Sequence, residues 1–395
     1  MNITPLLKVL CCWLLICVSN GLVSLEDQKT LSIQQTHDTK MHGNWYRKEL
    51  ESPSDSLPPV HIDKSKKIIT SEDLKDLKEY IQDTQFSGVV YLSDEKNTYR
   101  VSSEQFESRK EDELIFAIHS IGKVYTGILT LIMLEEGVIK ESSLFSPLKV
   151  DTLTMQSLPL NVQQRIRATT LYDTMIHRGG FGDYLGKYVD AIESSIKAQR
   201  PIPLPHHPED FLPFSDEKVF NLEPGESRYS NLGILLLGLS IQYHYQKFEP
   251  LDYNSILKKH ILDKAGITLF CSKPPQGNFN QEDAIAGYLC GSPAGGYWTT
   301  VKHLHAFGEW IRQKCIQDSD FMGLVEKYGQ EFYSADNREI VHGGGIPSSS
   351  AFFSVFLDNG VTIAIASDKA NKEASRSSHL YNIIVRNLLL PDSKE

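Results

Sequence analysis

The sequence predicts an α/β (α+β) fold in which one antiparallel sheet, built from both ends of the chain, is flanked by helices. Strand-like runs accompanied by a helix occur at residues 71–101 and again at 338–389. The segment from about 143 to 313 consists mostly of helical runs interrupted by Pro and Gly. Because strands bury their apolar faces by sharing a sheet, we expect the middle segment to be an inserted, mostly helical subdomain.

The first predicted elements are a helix and a hairpin. The helix is expected to begin near Ser71, because acidic residues occupy its first turn and apolar residues follow at helical spacing. Residues 88–92 and 98–101 are rich in β-branched and aromatic residues, and the polar residues 94–97 separate them. This pattern predicts two antiparallel strands joined by a turn.

Two long apolar helices are expected in the body of the chain. The first follows a short apolar run at 114–118, passes Ser120 and continues to Leu134, with Gly137 as its C-terminal cap. The second covers residues 231–242. Because both helices are apolar on nearly all sides, we expect both to be buried.

The end of the chain returns to strands. Strands are predicted at residues 338–342, 351–357 and 361–367, and Asp-Asn-Gly at 358–360 is a strong hairpin signal between the last two. An amphipathic helix at about 375–389 follows them. These elements complete the sheet that the first hairpin begins.

Composition limits the possible partners. The 395 residues include 50 Asp and Glu against 40 Lys and Arg, and no long basic run occurs. Nucleic acids require clustered positive charge, so we expect no nucleic-acid partner. A small-molecule or peptide substrate is the expected partner, and no cofactor is expected.

The first 24 residues predict a signal peptide. Lys8 precedes an apolar stretch at 9–18, and small or polar residues follow at 19–21. The stretch is shorter than the about 20 residues that a membrane-spanning helix needs, so we expect no transmembrane segment and a periplasmic or secreted protein. Residues 25–60 are interpreted as a polar leader, and residues 61–395 as the functional domain.

Cysteine and histidine spacing gives no support for a metal site. Outside the signal peptide the cysteines are Cys271, Cys290 and Cys315, which are too few for a disulfide framework, although one bridge is possible. No Cys-x-x-Cys or His-Glu-x-x-His pattern occurs. We therefore expect no bound metal.

The first motif that carries chemistry is Ser120-x-x-Lys123. The pattern Ser-x-x-Lys occurs six times, but only at Ser120 does it stand at the start of a long buried helix. One helical turn separates the two side chains, so the lysine can take the hydroxyl proton if its pKa is lowered. The helix N-terminus also favours an oxyanion. The alternative is that Ser120 only caps the helix.

Two further motifs follow in the chain. Tyr229-Ser230-Asn231 precedes the second apolar helix; the phenol could shuttle protons, and the Asn231 amide could bond both Lys123 and a substrate amide. His342 begins a glycine-rich stretch in which Gly344 and Gly345 would let a substrate lie along a strand edge. The alternatives are Asn231 as a helix cap with Tyr229 in the core, and a flexible loop beside a surface histidine.

Together the three motifs resemble the serine β-lactamase and penicillin-binding D-alanyl-D-alanine carboxypeptidase superfamily, particularly its class C-like branch. That branch carries Ser-x-x-Lys, Tyr-x-Asn and Lys- or His-x-Gly in this order. The resemblance covers roughly residues 71–389 and implies a β-lactamase/transpeptidase-like fold. The segments that carry it are FAIHSIGK (116–123), LEPGESRYSN (222–231) and PAGGYWTT (293–300).

The resemblance implies a serine hydrolase that forms an acyl-enzyme at Ser120. Lys123 and Tyr229 would exchange protons, and Asn231 would position the substrate amide. The backbone N–H groups of Ser120 and Gly345 would hold the oxyanion, and water would then release the product. His342 and Gly344 would complete the substrate-binding edge.

Departures from the family pattern bear on the substrate. His342 stands where many relatives have lysine, and His177-Arg178-Gly179 stands where the family usually has His-Thr-Ser. A histidine gives less fixed positive charge than a lysine, which argues against an efficient β-lactamase. The order of preference is therefore a D-Ala-type carboxypeptidase or amidase, then an esterase. The competing hypothesis is an inactive relative that binds a peptide or cell-wall fragment.

Overall fold

The computed structural model describes residues 69–140, 156–200, 205, 207–271, 291–346, 349–369 and 376–388. The predicted signal peptide at 1–24 and polar leader at 25–60 lie outside these ranges and stay predictions. Within the described ranges, no helix is both long and apolar enough to cross a membrane.

Eight strands form two antiparallel sheets in the described part of the chain. The larger sheet has six strands in the order β2-β1-β8-β7-β6-β5, and the smaller pairs β3 with β4. In chain order the strands are β1 (Gly88–Ser93), β2 (Thr98–Ser102), β3 (Ile115–Ala117), β4 (Trp298–Thr300), β5 (Tyr333–Ser334), β6 (Glu339–Ile346), β7 (Ser349–Phe356) and β8 (Thr362–Ser367).

Helices flank the larger sheet and form the middle of the chain. In chain order they are α1 (Ser71–Asp83), α2 (Glu104–Glu107), α3 (Gly122–Glu135), α4 (Leu160–Ala168), α5 (Leu171–Met175), α6 (Leu185–Lys197), α7 (Asn231–Tyr245), α8 (Tyr253–Leu257), α9 (Asp263–Ala265), α10 (Val301–Gln317), α11 (Ser319–Tyr328) and α12 (Ser377–Leu388). A π-helical turn at Lys258–Leu262 joins α8 to α9.

The prediction that both chain ends share one sheet is confirmed. Strand β8 lies between β1 and β7, so that Ile365 is opposite Val90 on one side and Phe352 on the other. Every residue of β8 is buried. The predicted α/β (α+β) fold, with an antiparallel sheet flanked by helices, is therefore confirmed.

Each face of the larger sheet is covered. On one face, apolar side chains of α1 and α12, such as Leu77 and Leu380, join those of the strands in one buried cluster. On the other face, α10 packs on β7 and β8. The approach of α10 is close, since a Cβ at Gly308 would lie 2.7 Å from the Thr362 side chain and 2.8 Å from that of Phe353.

The buried helix α3 is fixed to this layer by aromatic stacking. Tyr125 of α3 stacks on Phe307 of α10 with ring centroids 3.8 Å apart, and all α3 residues from Gly122 to Met133 are buried. The helix ends at Glu135, and Gly137 follows in the left-handed conformation at φ 69°, which glycine adopts without strain. Residues at the start of α3 are consequently held against the sheet.

Candidate active site

The predicted nucleophile lies in a tight turn between β3 and α3. Ser120 is the central residue of a 3₁₀ turn at His119–Ile121. His119 has φ 46°, a left-handed conformation that is unfavourable for a residue with a side chain. Its buried imidazole Nε2 lies 3.0 Å from Ser349 Oγ, and burial lowers the pKa of His119 to about 4. The turn is thus tied to β7.

Ser120 Oγ accepts hydrogen bonds from both predicted proton carriers. Lys123 Nζ lies 3.1 Å from it, and Tyr229 OH lies 2.7 Å from it. The Lys123 ammonium or amine also lies 4.7 Å from the centroid of the Tyr229 ring. The alternative that Ser120 caps the helix is wrong, since no side chain caps the N-terminus of α3. Three predicted catalytic groups therefore meet at one oxygen.

Burial changes the acid–base behaviour of Lys123. The side chain is 2 % exposed, and burial lowers its pKa to about 7, although the charges of Asp183 and Glu331 act in the opposite direction. A lysine with such a pKa is partly unprotonated at neutral pH. It can therefore take the proton of the Ser120 hydroxyl.

The turn before β4 supplies the third contact of Lys123. Nζ donates to Ala294 O at 2.6 Å. The next residue, Gly295, has φ 142°, a conformation that residues with a side chain rarely adopt. A Cβ at this position would lie 2.6 Å from His119 O. Sequence reasoning selected this segment for its family resemblance but did not assign Ala294 a role.

Asn231 lies at the start of α7 but does not cap it. The cap is Ser230, whose Oγ accepts from Gly233 N at 2.8 Å. The backbone and side-chain N–H groups of Asn231 donate to Asp183 Oδ2 at 3.1 and 3.0 Å. The side-chain amide therefore pairs with Asp183, whereas the sequence suggested Lys123, because a partly buried carboxylate still requires hydrogen-bond donors.

Asp183 was not found by sequence reasoning. Burial raises the pKa of its carboxyl, and hydrogen bonds from Leu185 and Asn231, together with the charge of Lys123, oppose this shift. The only hint in the sequence is its position after the altered segment that begins at His177. Asp183 links the second motif electrostatically to Lys123.

The third motif lies on β6. The alternative of a flexible loop is wrong, because residues 343–345 continue the strand and Gly345 pairs with Ser350 of β7. A Cβ at Gly344 would lie 2.4 Å from Ile118 O and 2.9 Å from Ser120 N. Only glycine lets β6 approach the nucleophile turn this closely.

The direction of the Gly345 N–H group follows from the strand period. Val341 N donates to Phe332 O at 2.8 Å, on the side of β6 away from β7. Residues two and four positions further along a strand point the same way, so the N–H of Gly345 faces the edge beyond the short β5. This orientation supports its predicted pairing with Ser120 N–H around an oxyanion.

His342 belongs to a network that sequence reasoning missed. Glu331 Oε1 lies 3.0 Å from His177 Nε2 and 3.6 Å from His342 Nε2. The His177 ring packs against that of Tyr229 with centroids 4.7 Å apart. Burial raises the pKa of Glu331, but the hydrogen bonds and electrostatic interactions with the two histidines outweigh it and lower the pKa to about 2. Nothing in the local sequence marks Glu331.

The remaining expectations concern the cysteines and metal ligands. Cys271 is disulfide-bonded, and Cys315 is a buried free thiol. In the part of the chain that the structure describes, no cluster of three or more His, Cys, Asp or Glu side chains could hold a metal ion.

Comparisons with known proteins support the fold. No family model matches the chain, and no curated protein matches its sequence. Solved structures do match. A D-stereospecific amidohydrolase from a Streptomyces species has a TM-score of 0.57 at 14% identity, over 77% of this chain and 95% of that one.

Two other solved structures agree with the first. The octameric penicillin-binding protein homologue from Pyrococcus abyssi has a TM-score of 0.58 at 15% identity, over 82% of this chain and 79% of its own. The D-amino acid amidase from Ochrobactrum anthropi SV3 has a TM-score of 0.56 at 14% identity, over 80% and 99% respectively. The chain therefore has the fold of the serine β-lactamase and penicillin-binding protein superfamily, as the resemblance predicted.

Proposed function

We propose that the chain is a serine hydrolase that forms an acyl-enzyme at Ser120, and that it acts as a D-Ala-type carboxypeptidase or amidase, with esterase activity as the next choice. The observation that carries the proposal is the convergence of Lys123 and Tyr229 on Ser120 Oγ at 3.1 and 2.7 Å. A nucleophile with a base in hydrogen-bond reach is the arrangement that acyl transfer requires.

The proposed mechanism begins with the unprotonated form of Lys123. It takes the proton of Ser120, whose Oγ attacks the substrate carbonyl carbon. The N–H groups of Ser120 and Gly345 stabilise the resulting oxyanion. Tyr229 then donates its phenolic proton to the leaving group as the carbonyl bond to that group breaks, and Lys123 returns a proton to Tyr229.

Deacylation reverses these roles. Water enters after the leaving group departs, and the Lys123–Tyr229 pair accepts its proton while the water oxygen attacks the acyl carbonyl. The bond to Ser120 Oγ breaks, and the proton returns to that oxygen. A free acid and the resting site result, so no cofactor is consumed.

Amide chemistry is favoured over β-lactam hydrolysis by His342 and by the structural neighbours. A histidine offers less fixed positive charge than the lysine of many relatives. The structures with the same fold include a D-stereospecific amidohydrolase and a D-amino acid amidase. A D-amino acid amide, ester or short peptide is accordingly the proposed substrate class.

We also propose that the protein is exported to the periplasm or secreted. The predicted signal peptide motivates this proposal, and the disulfide at Cys271 supports it, since disulfides persist in oxidising compartments. The burial of Cys315 is compatible with either compartment. A tagged full-length chain recovered outside the cytoplasm and shortened near residue 24 is the expected result.

The experiment that tests the hydrolase proposal is intact-mass measurement after incubation with a fluorophosphonate and, separately, with a fluorescent penicillin. Wild type is compared with Ser120→Ala. A matched control is Ser194→Ala, because Ser194 begins another Ser-x-x-Lys pattern on the exposed face of α6. We expect fluorophosphonate labelling of wild type and of Ser194→Ala and none of Ser120→Ala.

The penicillin arm separates the candidate activities. A stable adduct favours the carboxypeptidase, rapid turnover favours a β-lactamase, and fluorophosphonate labelling alone favours an amidase or esterase. A folded wild-type protein that takes up neither reagent would contradict the hydrolase proposal. The inactive peptide-binding relative would then be the better hypothesis.

A further inference from the structure

We infer that the network of Glu331 lies at the leaving-group end of the site, because it reaches the ring of Tyr229 through His177. Tyr229, the proposed donor to the leaving group, packs against His177 with ring centroids 4.7 Å apart. His177 contacts Glu331, and Glu331 faces His342. A substrate held by Gly345 N–H that continues along the edge of β6 passes Gly343 and then His342, at about 3.3 Å per residue.

His177 contributes no positive charge to this end of the cleft. Its Nδ1 accepts from Ser230 N at 3.2 Å, so that nitrogen carries no proton. Its Nε2 lies 3.0 Å from Glu331 Oε1 and donates to it. These two hydrogen bonds fit the neutral imidazole that carries its proton on Nε2.

His342 can carry a positive charge only as the partner of Glu331. Its Nδ1 lies 2.5 Å from Gly343 O and must donate to that carbonyl. A second proton on Nε2 would face Glu331 Oε1 at 3.6 Å and form an ion pair. With that proton the pair is neutral, and without it the pair is negative.

The two charged groups next to Ser120 and Asn231 do not reverse this balance. Lys123 is unprotonated when it acts as the base, and Asp183 is a partly buried carboxyl group that accepts a hydrogen bond from Asn231. The acidic side chain of Glu331 is 21% exposed, so it acts on a substrate from close range. A substrate carboxylate placed here would meet one more negative charge, and none of the described groups considered above offers it an unpaired cation.

We propose that Glu331 selects against a free carboxylate on the leaving group, so that the preferred substrates are amides or esters whose leaving group carries no negative charge. The inference rests on the hydrolase function proposed above and narrows its substrate class. A D-Ala-type carboxypeptidase releases D-alanine with a free carboxylate, so within that function the inference favours the amidase and the esterase over the carboxypeptidase. Glu331 is a positioning and specificity residue here, since it acts through His177 and His342 and through its own charge.

The test uses the purified mature protein and two peptides that differ by one group. These are N-acetyl-D-alanyl-D-alanine and its C-terminal amide, and kcat and KM are measured for both. Wild type is expected to favour the amide by at least about tenfold in kcat/KM, a ratio of the size that one partly screened charge produces. Both peptides are also used as competitors of fluorophosphonate labelling at Ser120, which gives a binding ratio independent of turnover.

Variants separate the charge of Glu331 from its shape. Glu331→Gln is expected to reduce the preference for the amide about tenfold, chiefly through a lower KM for the acid. Glu331→Asp keeps the charge and is expected to keep the preference. Glu326→Gln is the matched control, because Glu326 lies in an exposed ion pair with Arg338. The ratio of kcat/KM for the amide to that for the acid should be the same in this variant as in wild type.

Two results would overturn this inference and leave the hydrolase proposal standing. One is a wild type that prefers the acid or treats both peptides equally while Ser120 is labelled. The other is a Glu331→Gln variant that labels normally and keeps the wild-type ratio. If wild type is not labelled at Ser120, the hydrolase proposal fails, and this inference fails with it.

Discussion

The two side chains that contact Ser120 could be found from the sequence because their signals are local. Lys123 is one helical turn away from Ser120, and Tyr229 stands directly before an apolar helix that begins at Asn231. Asp183 and Glu331 could not be found in this way. Asp183 meets Asn231 across 48 positions of the chain, and Glu331 meets its histidine partner across 154, so only the folded chain brings them together.

The lowered pKa of Lys123 predicts the pH dependence of activity. Because the unprotonated lysine is the base, kcat/KM should rise with pH through about 7, the value to which burial lowers the pKa from 10.5. The rise is measured with an amide substrate between about pH 5 and 9, a range that brackets this value. Lys78→Gln, at an exposed ion pair with Glu107, should keep the profile.

Replacing Lys123 tests whether this residue causes the rise of kcat/KM with pH. Lys123→Arg should lower kcat/KM by about 10²–10⁴-fold and remove the rise near pH 7, because a guanidinium stays protonated. A Lys123→Arg enzyme with the wild-type profile would show that another group titrates. Circular dichroism at each pH checks that both variants remain folded.

Among the elements, strand β6 shows the limit of predicting the end of a strand from local sequence. The sequence predicted a strand that ends at residue 342 and a glycine-rich edge after it, whereas the strand continues to Ile346. Glycine has a weak strand preference, so local propensity ends the strand too early. The strand nevertheless continues, because its eight residues pair with all eight residues of β7.

The close contact of β6 with the nucleophile turn gives a prediction at Gly344. In Gly344→Ala the new Cβ would lie 2.4 Å from Ile118 O and 2.9 Å from Ser120 N, so strand and turn must separate. We expect kcat to fall at least about 10²-fold, as when an oxyanion donor is lost. Steady-state kinetics and fluorophosphonate labelling rates measure the effect.

Two other glycines serve as controls for this prediction. Gly323 lies on α11 with open space where a methyl group would extend, and a Cβ at Gly345 would lie 3.4 Å from Ser350 Cβ, an ordinary contact. Gly323→Ala should leave activity unchanged, and Gly345→Ala should cost less activity than Gly344→Ala. Equal losses at Gly344 and Gly323 would contradict the steric argument.

For the whole molecule, the order of elements could be predicted from local patterns, but the contacts between distant elements could not. The expectation of one sheet from both ends followed from strand signals at 88–101 and 338–367. The pairing of β8 with β7 had the hairpin signal at 358–360, but the pairing of β8 with β1 had no signal of its own. Which strands pair is decided by the packing of α1, α10 and α12 on the two faces.

The central position of β8 predicts a large effect on stability. Ile363 of β8 is fully buried, whereas Ile316 of α10 is 56% exposed. Ile363→Ala should lower the free energy of unfolding by about 2–5 kcal/mol, and Ile316→Ala by less than about 0.5 kcal/mol. Urea unfolding followed by fluorescence measures both, and similar values for the two would contradict the topology.

The same position of β8 has a consequence for biosynthesis. Strand β1 ends at residue 93 and its partner β8 begins at residue 362, a separation of 362 − 93 = 269 positions. At about 5–20 residues per second, a ribosome needs on the order of tens of seconds to cover this distance. During that time the inner edge of the first hairpin has no strand to pair with, so we expect this edge to be a site of aggregation until translation is nearly complete.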